Sequence, residues 1–146
     1  MRIEQANQTN LDAVTDLALK LWPEHEWTEL RNEFEELLVS EKDQVYLAAI
    51  ESSYIGFLHM SLRFDYVEGS RSSPVGYVEG IYVDEDHRNQ GVSRKLVEAG
   101  EAWAKSRGCK ELGSDTGWDN HVSQEFHQKI GFREAGRIVA FIKEID

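Results

Sequence analysis

The stretch Asp84–Leu96, DEDHRNQGVSRKL, decides how the chain is read. An apolar run, PVGYVEGIYV (74–83), precedes it and reads as a long strand. The residues that follow read as a helix over about 89–107. Val92, Leu96, Val97, Ala99, Gly100 and Trp103 fall on its buried face, and Gly108 is placed to end it. A strand that enters a helix through a glycine turn presents backbone N–H groups with no intrahelical partner. The helix dipole adds positive potential there. Such a corner suits phosphate, and Arg88 and Arg94 can add charge-assisted bonds. The turn has neither the GK[ST] of a P-loop nor the GxGxxG of a dinucleotide fold.

Working outward, MRIEQA alternates like a strand. Leu11, Val14, Leu17, Ala18, Leu21 and Trp22 then mark one face of a helix, capped by Thr9 or Asn10 and stopped by Pro23. A second helix is expected over 27–39, with Trp27, Leu30, Phe34, Leu37 and Leu38 inward. QVYLAAIES and YIGFLHMSLRF read as a hairpin turning at Ser52–Ser53. CKELGSD is a short strand, Asn120 caps a helix running to Ile130, and FREAGRIVAFIKEI supplies one or two closing strands. The order β α α β β β α β α β gives a mixed α/β fold around a central sheet, as one domain over 1–146.

The chain has 146 residues and a net charge of −11, which disfavours nucleic acid and anionic membranes and favours cationic ligands. No apolar run is as long as a membrane span, and the start lacks the pattern of a signal peptide, so a cytoplasmic setting is expected. Cys109 is the one cysteine, which excludes an intrachain disulfide. It reads as a small buried hydrophobe. The five histidines show no metal-ligand spacing, so no metal is expected.

Arg88-x-x-Gly91-x-Ser93 resembles the [RQ]-x-x-G-x-[GA] pyrophosphate loop of the GNAT superfamily of N-acetyltransferases, with Ser at the last place. Further along, Asn120-His-Val-Ser-Gln-Glu-Phe-His127 and Gly131-Phe132 resemble the superfamily's second hallmark. Leu21-Trp22-Pro23, Asp65-Tyr66-Val67, Ser72-Ser73-Pro74-Val75, Glu79-Gly80-Ile81 and Ser114-Asp115-Thr116 resemble segments of aminoglycoside 6'-N-acetyltransferases. The resemblance implies a GNAT-like mixed sheet flanked by about four α-helices. It implies transfer of acetyl from acetyl-CoA to the 6'-amine of a cationic aminosugar. A transferase for another polyamine or a peptide amine, and a CoA-binding module without turnover, are the alternatives.

The resemblance also assigns roles. Arg88, Asn89, Gln90, Gly91, Val92, Ser93 and Arg94 hold the cofactor's phosphates, Asn120 touches the cofactor, and Trp22, Tyr66, Glu79 and Asp115 line the substrate pocket. Backbone of Ile81, Tyr82 and Val83 holds the pantetheine arm. Glu79 or Asp115 is the candidate base. His127, where many members carry Tyr, and Tyr66 are candidate donors to the departing thiolate. On its own chemistry Glu79 lies in an apolar strand, where period two puts it with Tyr77, Ile81 and Val83. It requires a cation or hydrogen-bond partner there, either a ligand or an Arg or amide of the chain itself. Asp115, before Thr116-Gly117, also fits an Asx turn. Gly136 stands where the family usually has an acidic residue, which leaves Glu134 as the nearest carboxylate. The family often dimerises through its C-terminal strands, and apolar GRIVAFIKEID predicts a homodimer.

Overall fold

The computed structural model describes residues 1–146, which pack as two compact units, Met1–Ser114 and Asp115–Asp146. In the first, β1 (Arg2–Gln5) is followed by α1 (Leu11–Leu21) and α2 (Trp27–Leu38). A meander of β2 (Asp43–Ile50), β3 (Ser53–Arg63) and β4 (Val75–Val83) comes next, then α3 (Val92–Ser106) and β5 (Leu112–Ser114). The sheet order is β1-β2-β3-β4-β5, antiparallel throughout except for the parallel pair β4–β5. That pair forces a crossover, and α3 supplies it.

Each face of the sheet is covered by the helices whose apolar stripes the sequence shows. On one face, Leu58, Met60, Val78 and Val83 pack with Leu96, Trp103 and Ala104 of α3. On the other, Val45, Leu47 and Phe57 pack with Leu11, Val14, Leu17, Leu30 and Phe34 of α1 and α2. Cys109 is buried with the α3 cluster, as a small hydrophobe should be.

Two irregularities position the site. The β3–β4 register moves from His59↔Gly80 to Met60↔Val78, so Glu79 is an extra residue on β4. Such a bulge puts neighbouring side chains on one face and resets the alternation beyond it. Ile81 and Val83 therefore join the α3 cluster, whereas Tyr82 packs with the α1–α2 cluster. Glu79 does not share the face of Ile81 and Val83, which corrects that part of the period-two expectation. In addition, β4–β5 pairing covers only Gly76–Val78 and Leu112–Ser114, so Glu79–Val83 have no β5 partner on that edge.

In the second unit, α4 (His121–Lys129) is capped by Asn120, whose side chain accepts from the Ser123 N–H at 3.1 Å. No strand forms in the closing segment, contrary to the sequence expectation. Its apolar residues Ile138, Val139, Phe141, Ile142 and Ile145 are all exposed. A strand requires a partner edge for its backbone, and this segment finds none within the chain. Asn10 likewise precedes α1 without capping it. Its side chain binds the Asn7 N–H and the Gln5 carbonyl instead.

Gly80 faces Trp22 so closely that a Cβ there would lie 2.5 Å from Trp22 Cη2. Gly80→Ala should therefore destabilise the protein by about 1–3 kcal/mol, read from urea midpoints. A neutral result would mean that Trp22 can move aside without cost.

Candidate active site

The anion corner forms as the sequence predicts. After β4, Asp84 leads into a 3₁₀ turn (Glu85–His87), and the backbone swings through left-handed conformations at Asn89 (φ 62°) and Gly91 (φ 82°). Gly91 is the residue before α3, and no side chain caps that helix end. The first-turn amides of Val92, Ser93 and Arg94 are thus left to solvent or a ligand. A Cβ on Gly91 would meet nothing within 4 Å, so the turn is open toward an incoming group. This geometry fits a phosphate chain, whose oxygens accept from a helix N-terminus.

Charges of both signs surround the corner. Arg88 donates from Nε to the Val83 carbonyl at 2.9 Å and lies over Tyr82, 5.6 Å from the ring centroid, which ties the loop to the end of β4. The acidic run Asp84–Asp86 would repel an anion, but Lys20 of α1 binds Asp84 at 2.9 Å. The Lys20 ammonium is held above its ordinary range, chiefly by the hydrogen bond to Asp84.

Glu79 sits in the bulge with three hydrogen bonds. Ser61 Oγ donates to Oε2 at 2.5 Å. Arg63 donates from Nε to Oε2 at 3.0 Å and from Nη2 to Oε1 at 2.8 Å. The Arg63 guanidinium also stacks 3.4 Å above the Tyr77 ring. Burial pushes the Glu79 carboxyl up, but the hydrogen bonds from Arg63 and Ser61 outweigh it. Together with the nearby charges of Arg63 and His59, they leave it below its usual value. The internal Arg pair that sequence reasoning left open is the one the fold adopts. Arg63 and Ser61 themselves were not singled out. The signal was present as polar residues at His59, Ser61 and Arg63, alternating along an otherwise apolar strand.

Trp22 and Tyr66 are the other predicted pocket residues of the first unit. Trp22 packs edge-on to Phe57, 6.0 Å between centroids, and covers Gly80. His59 faces Gly80 across the ladder and binds Asp43 at 2.8 Å. Tyr66 is mostly exposed, and its hydroxyl accepts the Gly69 N–H at 3.2 Å, which leaves its own proton to donate. Lys42, Leu62, Arg63, Phe64, Asp65 and Tyr66 line an open groove of about 410 Å³.

In the second unit, Asp115 begins the segment after β5, and Asn120 starts α4. His127 Nδ1 lies 2.7 Å from the Ser123 carbonyl, so Nδ1 carries the proton. In the neutral ring Nε2 is then an acceptor, and His127 can donate from that atom only as imidazolium. Phe126 and Phe132 meet the ring edge-on at 5.7 and 5.2 Å. Gly136 leaves the second unit without a carboxylate at that place, and Glu134 is bound to Arg137 at 2.7 Å.

Since the Glu79 carboxyl is depressed in the folded state, its contribution to stability is present above its unfolded value of about 4.3. It is lost as pH falls through the folded value. The stability gap between wild type and Glu79→Gln should therefore be largest near neutral pH and close as the solution is acidified. Urea unfolding across that range reads it, and a constant gap would contradict the pairing.

Relatives share this architecture. The sequence profile of the acetyltransferase (GNAT) family matches residues 11–132. The aminoglycoside N(6')-acetyltransferase type 1 of Salmonella typhimurium is 38% identical over 98% of this chain and 99% of its own. That of Acinetobacter haemolyticus is 39% identical over the whole of both chains. The solved structure of AAC(6')-Iy in complex with the bisubstrate analog CoA-S-monomethyl-acetylneamine superposes with a TM-score of 0.96, at 37% identity over 99% of this chain and 98% of that one. With its strand, left-handed turn and uncapped helix in the same sequence frame, the chain belongs to the GNAT acetyltransferase family.

Proposed function

We propose that the protein is an acetyl-CoA-dependent N-acetyltransferase acting on the 6'-amine of aminoglycosides. The observation that carries this reading is the open, uncapped α3 N-terminus at the point where β4 has parted from β5, a few residues beyond a carboxylate in a bulge. The full-length likeness to aminoglycoside N(6')-acetyltransferases supports the choice of substrate.

Acetyl-CoA supplies the activated thioester. Val92, Ser93 and Arg94 offer amides to its phosphates, with Asn89, Gln90 and Gly91 shaping the turn and Arg88 adding charge. The edge of β4 at Ile81, Tyr82 and Val83, left by β5, offers backbone to the pantetheine arm, and Asn120 is a further cofactor contact. Trp22, Tyr66, Glu79 and Asp115 bind the aminosugar by aromatic faces and carboxylates. Glu79 is a poor proton acceptor while Arg63 and Ser61 hold it ionised, so Asp115, directly or through water, is the better candidate base. Tyr66 is the better candidate donor to the thiolate, because it keeps a proton to give, whereas His127 must first be doubly protonated. The protein acts as a homodimer, with the uncovered apolar run 138–145 pairing between copies. A cytoplasmic setting suits the acetyl donor, and no helix is long and apolar enough to cross a membrane.

A thiol-release assay with acetyl-CoA and kanamycin-type and neamine-type aminoglycosides, spermidine and a peptide tests the substrate. Turnover confined to 6'-amino aminoglycosides is expected, and turnover only of spermidine or the peptide would move the activity to another amine. Gly91→Asp puts a charged side chain at φ 82° and should weaken CoA binding by about tenfold or more, the value of a charge-assisted hydrogen bond. Unchanged CoA affinity would remove the phosphate corner from the reading. Sedimentation should give a dimer, and Phe141→Glu with Ile142→Glu a monomer. A monomeric wild type would refute the pairing.

A further inference from the structure

Glu79 is a carboxylate whose hydrogen-bonding capacity is almost fully used within the protein. A carboxylate offers about four acceptor positions. Oε2 takes Ser61 and Arg63 Nε, and Oε1 takes Arg63 Nη2, which leaves one position on Oε1. Arg63 is itself held by the face of Tyr77 and lines the groove with Lys42, Asp65 and Tyr66. Arg63 and Glu79 carry opposite charges 2.8 Å apart, so the net charge of the pair is close to zero.

We infer that Arg63 is a positioning and specificity-determining residue, which neutralises Glu79 so that the carboxylate accepts a hydrogen bond from the acceptor amine without stabilising its ammonium form. The inference rests on the proposed assignment of Glu79 to the substrate pocket. Its chemical reason is simple. The amine attacks only as the neutral base, and a bare carboxylate beside it would raise its pKa and hold it as an unreactive cation. A carboxylate already matched by a guanidinium still orients an N–H and imposes no such penalty. Cation attraction in the pocket then has to come from other carboxylates.

The groups around the pair fit this division. On β3, His59 faces the same side and is bound to Asp43 of β2. On β4, Tyr77 lies beneath the guanidinium. The α1–α2 side brings Trp22 and Phe34, both uncharged, against Gly80 and His59. Lys42 and Asp65, which line the groove, are opposite in sign.

The test is the pH dependence of kcat for kanamycin in wild type, Arg63→Met and Arg63→Lys, with thermal stability and CoA affinity measured on each. In Arg63→Met, KM should fall severalfold as the bare carboxylate holds the polycation. Its kcat should fall as well, with the acid limb of kcat displaced to higher pH by about one unit or more. Arg63→Lys restores a cation and should bring the limb back toward wild type. A purely structural role predicts lost stability, a raised KM and an unmoved limb, and that pattern would overturn the inference. A Glu79 carboxyl titration by carbon NMR needs no substrate. It should show Glu79 moving up in Arg63→Met, and an unmoved carboxyl would also overturn the inference. Absence of wild-type turnover with any aminoglycoside would sink the substrate reading by itself, and the NMR titration would still rule on the pair.

Discussion

The bulge at Glu79 is the constraint on which the rest of the site depends. One extra residue on β4 places Glu79 and Gly80 side by side toward α1 and α2, and sends Ile81 and Val83 to the α3 core. It directly follows Val78, the last residue that β5 pairs. Without the extra residue, Glu79 could not meet Ser61 and Arg63 while the strand continues into the α3 core. The hydrogen bonds of the triad in turn hold the bulge, since an unpaired buried carboxylate would be costly there.

A division of labour follows between the two ends of β4. At the bulge, side chains shape a recess in which Trp22 lies against a backbone with no Cβ to obstruct it. At the far end, the backbone itself is presented, through a left-handed turn and an uncapped helix. The first end deals with shape and hydrogen bonding, the second with negative charge. The net charge of −11 is compatible with an anionic cosubstrate because the second end needs only local positive potential, and Lys20 pairs with Asp84, one of the acidic groups before the turn.

Much of this was legible in the residues. The Gly91 corner, the first helix, the helices expected over 27–39 and about 89–107 and found over 27–38 and 92–106, and the Asn120 cap followed from spacing and capping chemistry that act over one turn. What was not legible depended on register. Alternation alone placed Glu79 with Ile81 and Val83, and a bulge reverses such an assignment without any mark in the composition. The partnership with Arg63 was hidden for the same reason, since it joins residues 16 apart across two strands. The closing segment failed differently. Its apolar pattern is strand-like, but a strand is a relation between two edges, and this segment pairs with no other strand of the chain.

The lone cysteine has a practical meaning. Cys109 is buried beside Trp103 and Ala104, and that burial raises its pKa despite the nearby charge of Arg107. Its thiolate is scarce at neutral pH, and it has no second cysteine with which to resolve an oxidised form. Mild oxidants and alkylating reagents should therefore leave the folded protein largely untouched, and a disulfide dye added to it reports almost entirely on thiols that come from outside the chain.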